Sequence, residues 1–336
     1  MFIKTFKQLS KKDVAIAGGK GASLGEMTGA GISVPPGFVI LANAFDEFLA
    51  ESDLAGEIEA KLKKVNFKDI NSVDRASNEI RDLILDAEFP AQLGQEILKE
   101  FSKLKAKFVA VRSSATAEDS SVASWAGELE TYLNTTKITL LENVKKCWAS
   151  LFTPRAIFYR FEKKMQKTKV SVAVVVQKMI QSEVSGICFT VHPVTEDRNQ
   201  MVIEAGWGLG EAIVGGKITP DTYIIKKFPI SNFQFPKKFQ NSKSKINVIP
   251  AKAGIQILDK NISRQEMMIV RDKNGVKEMK VPMAKQEAQK LPDGQIFALA
   301  KICLQIENHY GAPQDIEWAM EKDKFYITQS RPITTL

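Results

Sequence analysis

Histidine is nearly missing from this chain: 336 residues contain two, His192 and His309. Any histidine-centred chemistry inside the chain, a phosphohistidine relay included, would have to use one of them. His192 ends a strand-like run just before Pro193, and His309 precedes Tyr310-Gly311 at a helix end, where an imidazole suits the local dipole. Both read as structural. Cysteine is also scarce. Cys147, Cys188 and Cys303 are odd in number and far apart, which excludes a disulfide framework and paired zinc spacing and points to a reducing, cytoplasmic setting. Long apolar runs are absent too. The longest, Val172–Val176, is far too short for a bilayer and reads as a buried strand. The opening MFIKTFKQLSKKD has basic residues but no apolar h-region, so no secretory leader is expected.

What is present fits a soluble globular chain, with 44% hydrophobic and 26% charged residues. Its length allows two or three sub-domains and a generous core. The net charge of +8 is local: residues 231–290 hold 13 Lys/Arg against 5 Asp/Glu, and the remainder is balanced. That stretch lacks aromatics interleaved for base stacking, so it reads as a solvated lysine-rich loop, and a nucleic-acid partner is not expected.

Periodicity gives helices near 20–30, 43–64, 73–87, 91–105, 138–165 (two, parted at Thr153-Pro154) and 294–309. Strands fall at 38–41, 108–111, 172–179, 186–191, 201–205, 222–226, 315–320 and 324–329. A helix-rich first half and a strand-rich second half predict an α+β chain of two lobes, 1–178 and 179–336, with a ligand cleft between them. Residues 229–264, rich in Asn, Ser, Lys and Pro, have weak periodicity and read as an inserted loop or disordered excursion.

Four segments could carry chemistry. Gly18-Gly19-Lys20-Gly21-Ala22-Ser23 combines close backbone approach, a mobile cation and a helix start, which suits a phosphate, although an ordinary helix entry has the same look. It is not a Walker A loop, because Gly21 follows Lys20 where a Ser or Thr would hold magnesium. Arg112 leaves a buried strand into Ser113-Ser114-Ala115-Thr116, followed by Trp125-Ala126-Gly127-Glu128 and Thr131-Tyr132; an arginine fork among small donors suits a phosphate chain, or it pairs with Glu118 or Asp119. Gly206-Trp207-Gly208-Leu209-Gly210 suits either a ligand or a tight turn between packed strands. Last, Asp315 and Glu317 alternate on one strand, as Gln329 and Arg331 do on the next. A hairpin would join oxygen donors for Mg²⁺ to an arginine for phosphate, or form a salt-bridged face.

In this order the motifs resemble the pyruvate phosphate dikinase/phosphoenolpyruvate synthase family, specifically its N-terminal ATP-grasp domain. GGKGASLGEM, VPPGF, VRSSATAED, WAGELETYLN, VVVQKM, SGICFT, GWGLGEAIVGGKITPD, HYGAPQDIEWA and ITQSRPIT carry the likeness. It covers nearly the whole chain except 229–264, where the family has a shorter connection. The resemblance implies a two-lobed ATP-grasp fold with the nucleotide in the cleft. Lys20 and Arg112 would hold the ATP phosphates, with Gly127, Thr131 and Tyr132 completing that pocket. Gln177 and Met179 would lie at the adenine edge. Glu317 and Gln329 would hold Mg²⁺ with Asp315 assisting, and Arg331 would stabilise charge on the β- and γ-phosphates.

In such enzymes ATP gives its β,γ-diphosphate to a histidine on a swivelling domain, and pyruvate receives the remaining phosphate at a third. The overall conversion is ATP, pyruvate and water to AMP, phosphoenolpyruvate and phosphate. Neither domain follows SRPIT in these 336 residues, so a phosphohistidine domain acting in trans is expected as a partner. Trp125 replaces the usual phenylalanine, and Glu128 the usual glutamine, which adds a negative charge near the phosphates. Two alternatives share the same domain: the ATP unit of a rifampicin-type antibiotic phosphotransferase, and a non-catalytic nucleotide-binding module.

Overall fold

The computed structural model describes residues 1–116, 119–120, 123–124, 130–163, 171–228, 254–272 and 275–334. It is a mixture of helix and antiparallel sheet, as the α+β reading expects. Two compact units emerge: Met1–Met179 with Lys273–Gly275, and Ile180–Asp272 with Val276–Leu336.

In the first unit, β1 (Ile3–Thr5), β2 (Gly37–Ile40), β3 (Val109–Ala115), β6 (Thr131–Thr135) and β7 (Val172–Lys178) form a sheet ordered β1-β2-β7-β3-β6. Every pairing in it is antiparallel. A separate two-stranded ribbon joins β4 (Asp119–Ser120) to β5 (Ala123–Ser124).

The side-chain period of two sorts this sheet's faces. Phe38, Ile40, Val109, Val111, Val172, Val174 and Val176 point into a core built with helices α2 (Ala42–Glu51), α3 (Ala55–Lys63), α4 (Ile70–Asp86), α5 (Ala91–Lys103), α6 (Leu140–Ala149) and α7 (Pro154–Glu162). Trp148 centres that core, its ring 5.5 Å from Phe45, 5.0 Å from Phe48 and 5.5 Å from Phe89. Of the stripe Leu93, Ile97, Phe101 and Leu104 that the spacing predicts, the first three are buried, and Leu104, just past the end of α5, is partly buried against the same core. The run expected as one helix over 43–64 is two, because the chain turns at Asp53 with φ 53°. Thr153 caps α7, its hydroxyl accepting from Ala156 N at 3.2 Å, and Pro154 fills the first helical position, where a missing N–H costs nothing.

Helix α1 (Val14–Gly29) covers the other face of the sheet. Its Gly21 lies so close to Val39 that a Cβ there would sit 3.1 Å from Val39 Cγ2.

In the second unit, β8 (Val184–Phe189), β9 (Gln200–Trp207), β10 (Asp221–Lys227), β11 (Ile255–Asn261), β14 (Gln314–Glu321) and β15 (Lys324–Pro332) order as β11-β10-β9-β8-β14-β15, again antiparallel throughout. β12 (Met267–Asp272) and β13 (Gly275–Lys280) make a small second sheet. Two four-residue helices, α8 (Glu211–Val214) and α9 (Met283–Gln286), punctuate the loops.

The long helix α10 (Asp293–Tyr310) buries Ile296, Leu299, Ala300, Cys303 and Ile306. It ends at Gly311, whose φ of 67° is the left-handed cap that favours glycine. Glu307 near its end accepts from Lys227 Nζ at 3.0 Å and from Thr190 Oγ1 at 3.1 Å, which ties the helix to the sheet. Among the described residues no helix is long and apolar enough to cross a membrane.

One expectation needs correction. Residues 255–261, read from sequence as part of a loop spanning 229–264, form β11 and pair with β10. Ile255 is fully buried, but the strand's second half is exposed and a register shift lies opposite it at Ile224/Ile225, so the alternation that marks a strand is blurred. The 229–253 part of that expected loop lies outside the described residues.

Candidate functional site

The sheet face under α1 collects the first unit's candidates. Arg112 stands opposite Thr131 on one side and Val175 on the other, and Gln177 stands opposite Ala110 and Gly37. Residues directly opposite one another share a face, and so do residues two apart. Ser114, Arg112, Thr131 and Gln177 therefore lie on one surface. Arg112 is 9% exposed and Gln177 3%. Gln177 Nε2 has no hydrogen-bond partner among the described residues, which in a buried amide costs free energy until something accepts from it. Met179 follows β7 directly, its backbone N–H donating to Phe108 O at 3.1 Å.

Tyr132 is separated from this group. It packs against the helical core on the opposite face, with Lys146 Nζ 5.8 Å from its ring centre. Gly127, Trp125 and Glu128 lie outside the described residues.

Lys20 lies just after a break in α1. Gly18 has φ 68° and ψ 170°, non-helical values that divide α1 into two segments. A Cβ at Gly18 would stand 2.2 Å from Ser114 Oγ and 2.3 Å from Ser114 O, so only glycine permits both this conformation and this approach. The Ser114 hydroxyl donates to Ala17 O at 3.0 Å and accepts from Gly21 N at 3.2 Å. Two motifs ninety residues apart in sequence are thus bonded together, with Lys20 in the bonded turn and Arg112 two residues before Ser114.

The second unit's candidates occupy one face of β14 and β15. Asp315 stands opposite Arg331, and Glu317 opposite Gln329. Arg331 donates to Asp315 Oδ2 from Nε at 2.9 Å, with Nη2 2.8 Å from the same oxygen, while Gln329 Nε2 donates to Glu317 Oε1 at 3.1 Å. A bulge after Glu317 lets Trp318 pair with Ile327, so the two strands keep the functional pairs in register on one side and a packed core on the other.

Sequence reasoning missed Glu204. It lies opposite Ile187, which lies opposite Glu317, so a third carboxylate joins the same face. Only the register reveals it, since Glu204 precedes the glycine motif with no spacing signal of its own. Burial pushes the Glu204 carboxyl above its ordinary range, and the Asp315 charge adds to that. Burial also pushes Asp315 up; Arg331 opposes this and the Glu317 charge reinforces it. Carboxylates crowded and desolvated in this way would be relieved by a cation. Among the described residues no three His, Cys, Asp or Glu side chains are grouped to hold a metal by themselves.

The glycine segment after β9 proves to be a tight turn. Gly208, at φ 91°, would place a Cβ 2.5 Å from Ile269 O. Its carbonyl accepts from Ser185 Oγ at 2.7 Å and Ser182 Oγ at 3.0 Å, and Gln265 bridges both the N–H and the C=O of Trp207, at 2.8 and 3.0 Å. His192 is structural as expected: its Nδ1 accepts from the N–H groups of Val194 and Thr195 at 3.3 and 3.2 Å.

Against families of known proteins, residues 14–336 match the model described as pyruvate phosphate dikinase, AMP/ATP-binding domain. The chain belongs to this family. Over its whole length it is 46% identical to a probable phosphoenolpyruvate synthase of Methanocaldococcus jannaschii and 40% identical to a phosphoenolpyruvate synthase of Pyrococcus furiosus. Over 98% of its length it is 37% identical to a rifampicin phosphotransferase of Bacillus subtilis. It spans 27%, 44% and 35% of those three relatives respectively, so each carries much more chain than is present here.

Proposed function

We propose that this chain is the Mg-ATP-binding, phosphoryl-donor domain of a phosphoenolpyruvate synthase-type dikinase, with an ATP-grasp fold. The observation that carries the reading is the paired face of Asp315/Arg331 and Glu317/Gln329, whose oxygen donors and guanidinium suit a metal-nucleotide ligand. Lys20 and Arg112 supply cations for the phosphate chain, with Thr131 beside Arg112 and Gly127 completing the pocket in the family pattern, while Tyr132 faces the helical core and takes no part. Gln177 offers a buried donor to the base, and Met179 lies beyond it on the same strand end. Glu317 and Gln329 would hold Mg²⁺, which supplies charge neutralisation and orientation for the phosphates. Asp315 holds Arg331 by two contacts to one oxygen, keeping the guanidinium oriented toward charge that develops on the transferred phosphate.

A histidine domain is needed as acceptor, and in this reading it acts in trans or from chain beyond these residues. The likeness to a rifampicin phosphotransferase keeps a second acceptor in play, because the ATP face would serve either. Mixing the chain with Mg-ATP and a family phosphohistidine domain tests the reading. AMP and phosphohistidine formation supports it. ATP binding without AMP in that mixture would leave only a nucleotide-binding module.

A further inference from the structure

We propose that Ser114 is a positioning residue for the phosphate-binding turn, acting as a helix cap supplied from a distant strand. The inference rests on the reading of Lys20 and Arg112 as phosphate ligands.

A helix start leaves N–H groups without intrahelical acceptors, and the residue before the first turn normally satisfies one of them with its side chain. Here the second segment of α1 begins after Gly18, which has no side chain to offer. Ser114 replaces it. Its hydroxyl accepts from Gly21 N at 3.2 Å and donates to Ala17 O at 3.0 Å, so one fully buried group grips the segment on both sides of the break. Gly18 permits the grip, because any Cβ there would collide with both Ser114 Oγ and Ser114 O.

The consequence reaches beyond stability. Lys20 lies between the two gripped residues, and Arg112 lies two residues before Ser114 on the same face of β3. A single hydroxyl therefore sets the spacing between the two cations that the phosphate chain needs. Fixed spacing lowers the cost of binding an anion between them, since neither the turn nor the strand then has to be ordered by the ligand.

The test compares ATP with adenosine on the full chain carrying Ser114→Ala, using calorimetry for Mg-ATP and ligand-observed NMR for adenosine. Loss of the grip should weaken Mg-ATP by about tenfold, equal to about 1.4 kcal/mol, and leave adenosine affinity unchanged. Ser114→Cys keeps the shape with a weaker donor and acceptor, and should fall between the two. It also keeps the test open if Ser114→Ala does not fold. Mg-ATP affinity equal to wild type in either folded variant would overturn the positioning role. So would an equal loss for ATP and adenosine, which marks general loosening. Absence of Mg-ATP binding by the wild-type chain would overturn the parent reading instead, so the two failures are distinguishable.

Discussion

Asp221 stands in the ITPD segment that the family likeness highlights, and its surroundings give it a structural task. It and Lys290 are both fully buried, with Lys290 Nζ 2.7 Å from Asp221 Oδ1. Asp221 also accepts from Ser263 N at 2.9 Å, from Lys290 N at 2.9 Å and from Tyr223 Oη at 2.8 Å. Replacing Asp221 with Ala removes the acceptor for all four donors and leaves the buried ammonium without its counter-charge, holding the Ser263 carbonyl alone. Breaking a buried pair in that way costs about 3–5 kcal/mol. Lys290→Met is gentler, because the carboxylate keeps three donors, one of them the backbone N–H of position 290. A lost charge-assisted bond of that kind is worth about 1–3 kcal/mol. Urea unfolding with a probe in the second unit, such as Trp318 fluorescence, should rank Asp221→Ala well below Lys290→Met. The corresponding fall in thermal midpoint for Asp221→Ala is roughly 6–20 °C for a unit of this size. Equal losses for the two variants, or a loss below about 1 kcal/mol for Asp221→Ala, would refute the reasoning.

Further outcomes follow from the same geometry. Gly18→Ala forces a Cβ to within 2.2 Å of Ser114 Oγ at a positive φ, and should lower stability by about 1–3 kcal/mol while weakening Mg-ATP, read by thermal melting and calorimetry. Glu204 has its carboxyl raised by burial and Asp315, so its folded-state pKa lies above the unfolded one. The stability it contributes is present in acid and lost as pH rises through the folded pKa. Glu204→Gln should therefore raise the thermal midpoint at pH 7 without Mg²⁺, and that gain should vanish near pH 4. A variant that melts lower at both pH values would count against the crowding of these carboxylates.

Much of the fold is legible in the sequence where the signal is local. The α5 stripe of Leu93, Ile97 and Phe101 announces its buried face, and the Glu321-Lys322-Asp323 turn between alternating runs announces β14 and β15. The expected meeting of Asp315 and Glu317 with Gln329 and Arg331 on one hairpin face is found, whereas the bulge after Glu317 leaves no mark in the spacing. What escapes is set by distant partners. β11 shows its alternation in only half its length because it is an edge strand. Glu204 joins the site across two strand spacings, Ser114 caps a helix about ninety residues earlier, and Lys290 meets Asp221 from sixty-nine residues away. Tyr132 illustrates the opposite hazard: its neighbour Thr131 shares the face of Arg112, and the alternation of β6 sends Tyr132 to the core. Adjacency in a motif does not mean adjacency in a site.

Titration of the intact chain with ATP in the presence of Mg²⁺, repeated with Glu317→Ala and with Arg331→Ala, tests the central claim most directly. The account predicts saturable Mg-dependent binding by the wild type. Glu317→Ala should lose the Mg²⁺ dependence. Arg331→Ala, a change on an exposed side chain, should lose phosphoryl transfer to a supplied histidine domain while staying folded. Binding that ignores both Mg²⁺ and Glu317, or no ATP binding at all, would contradict it.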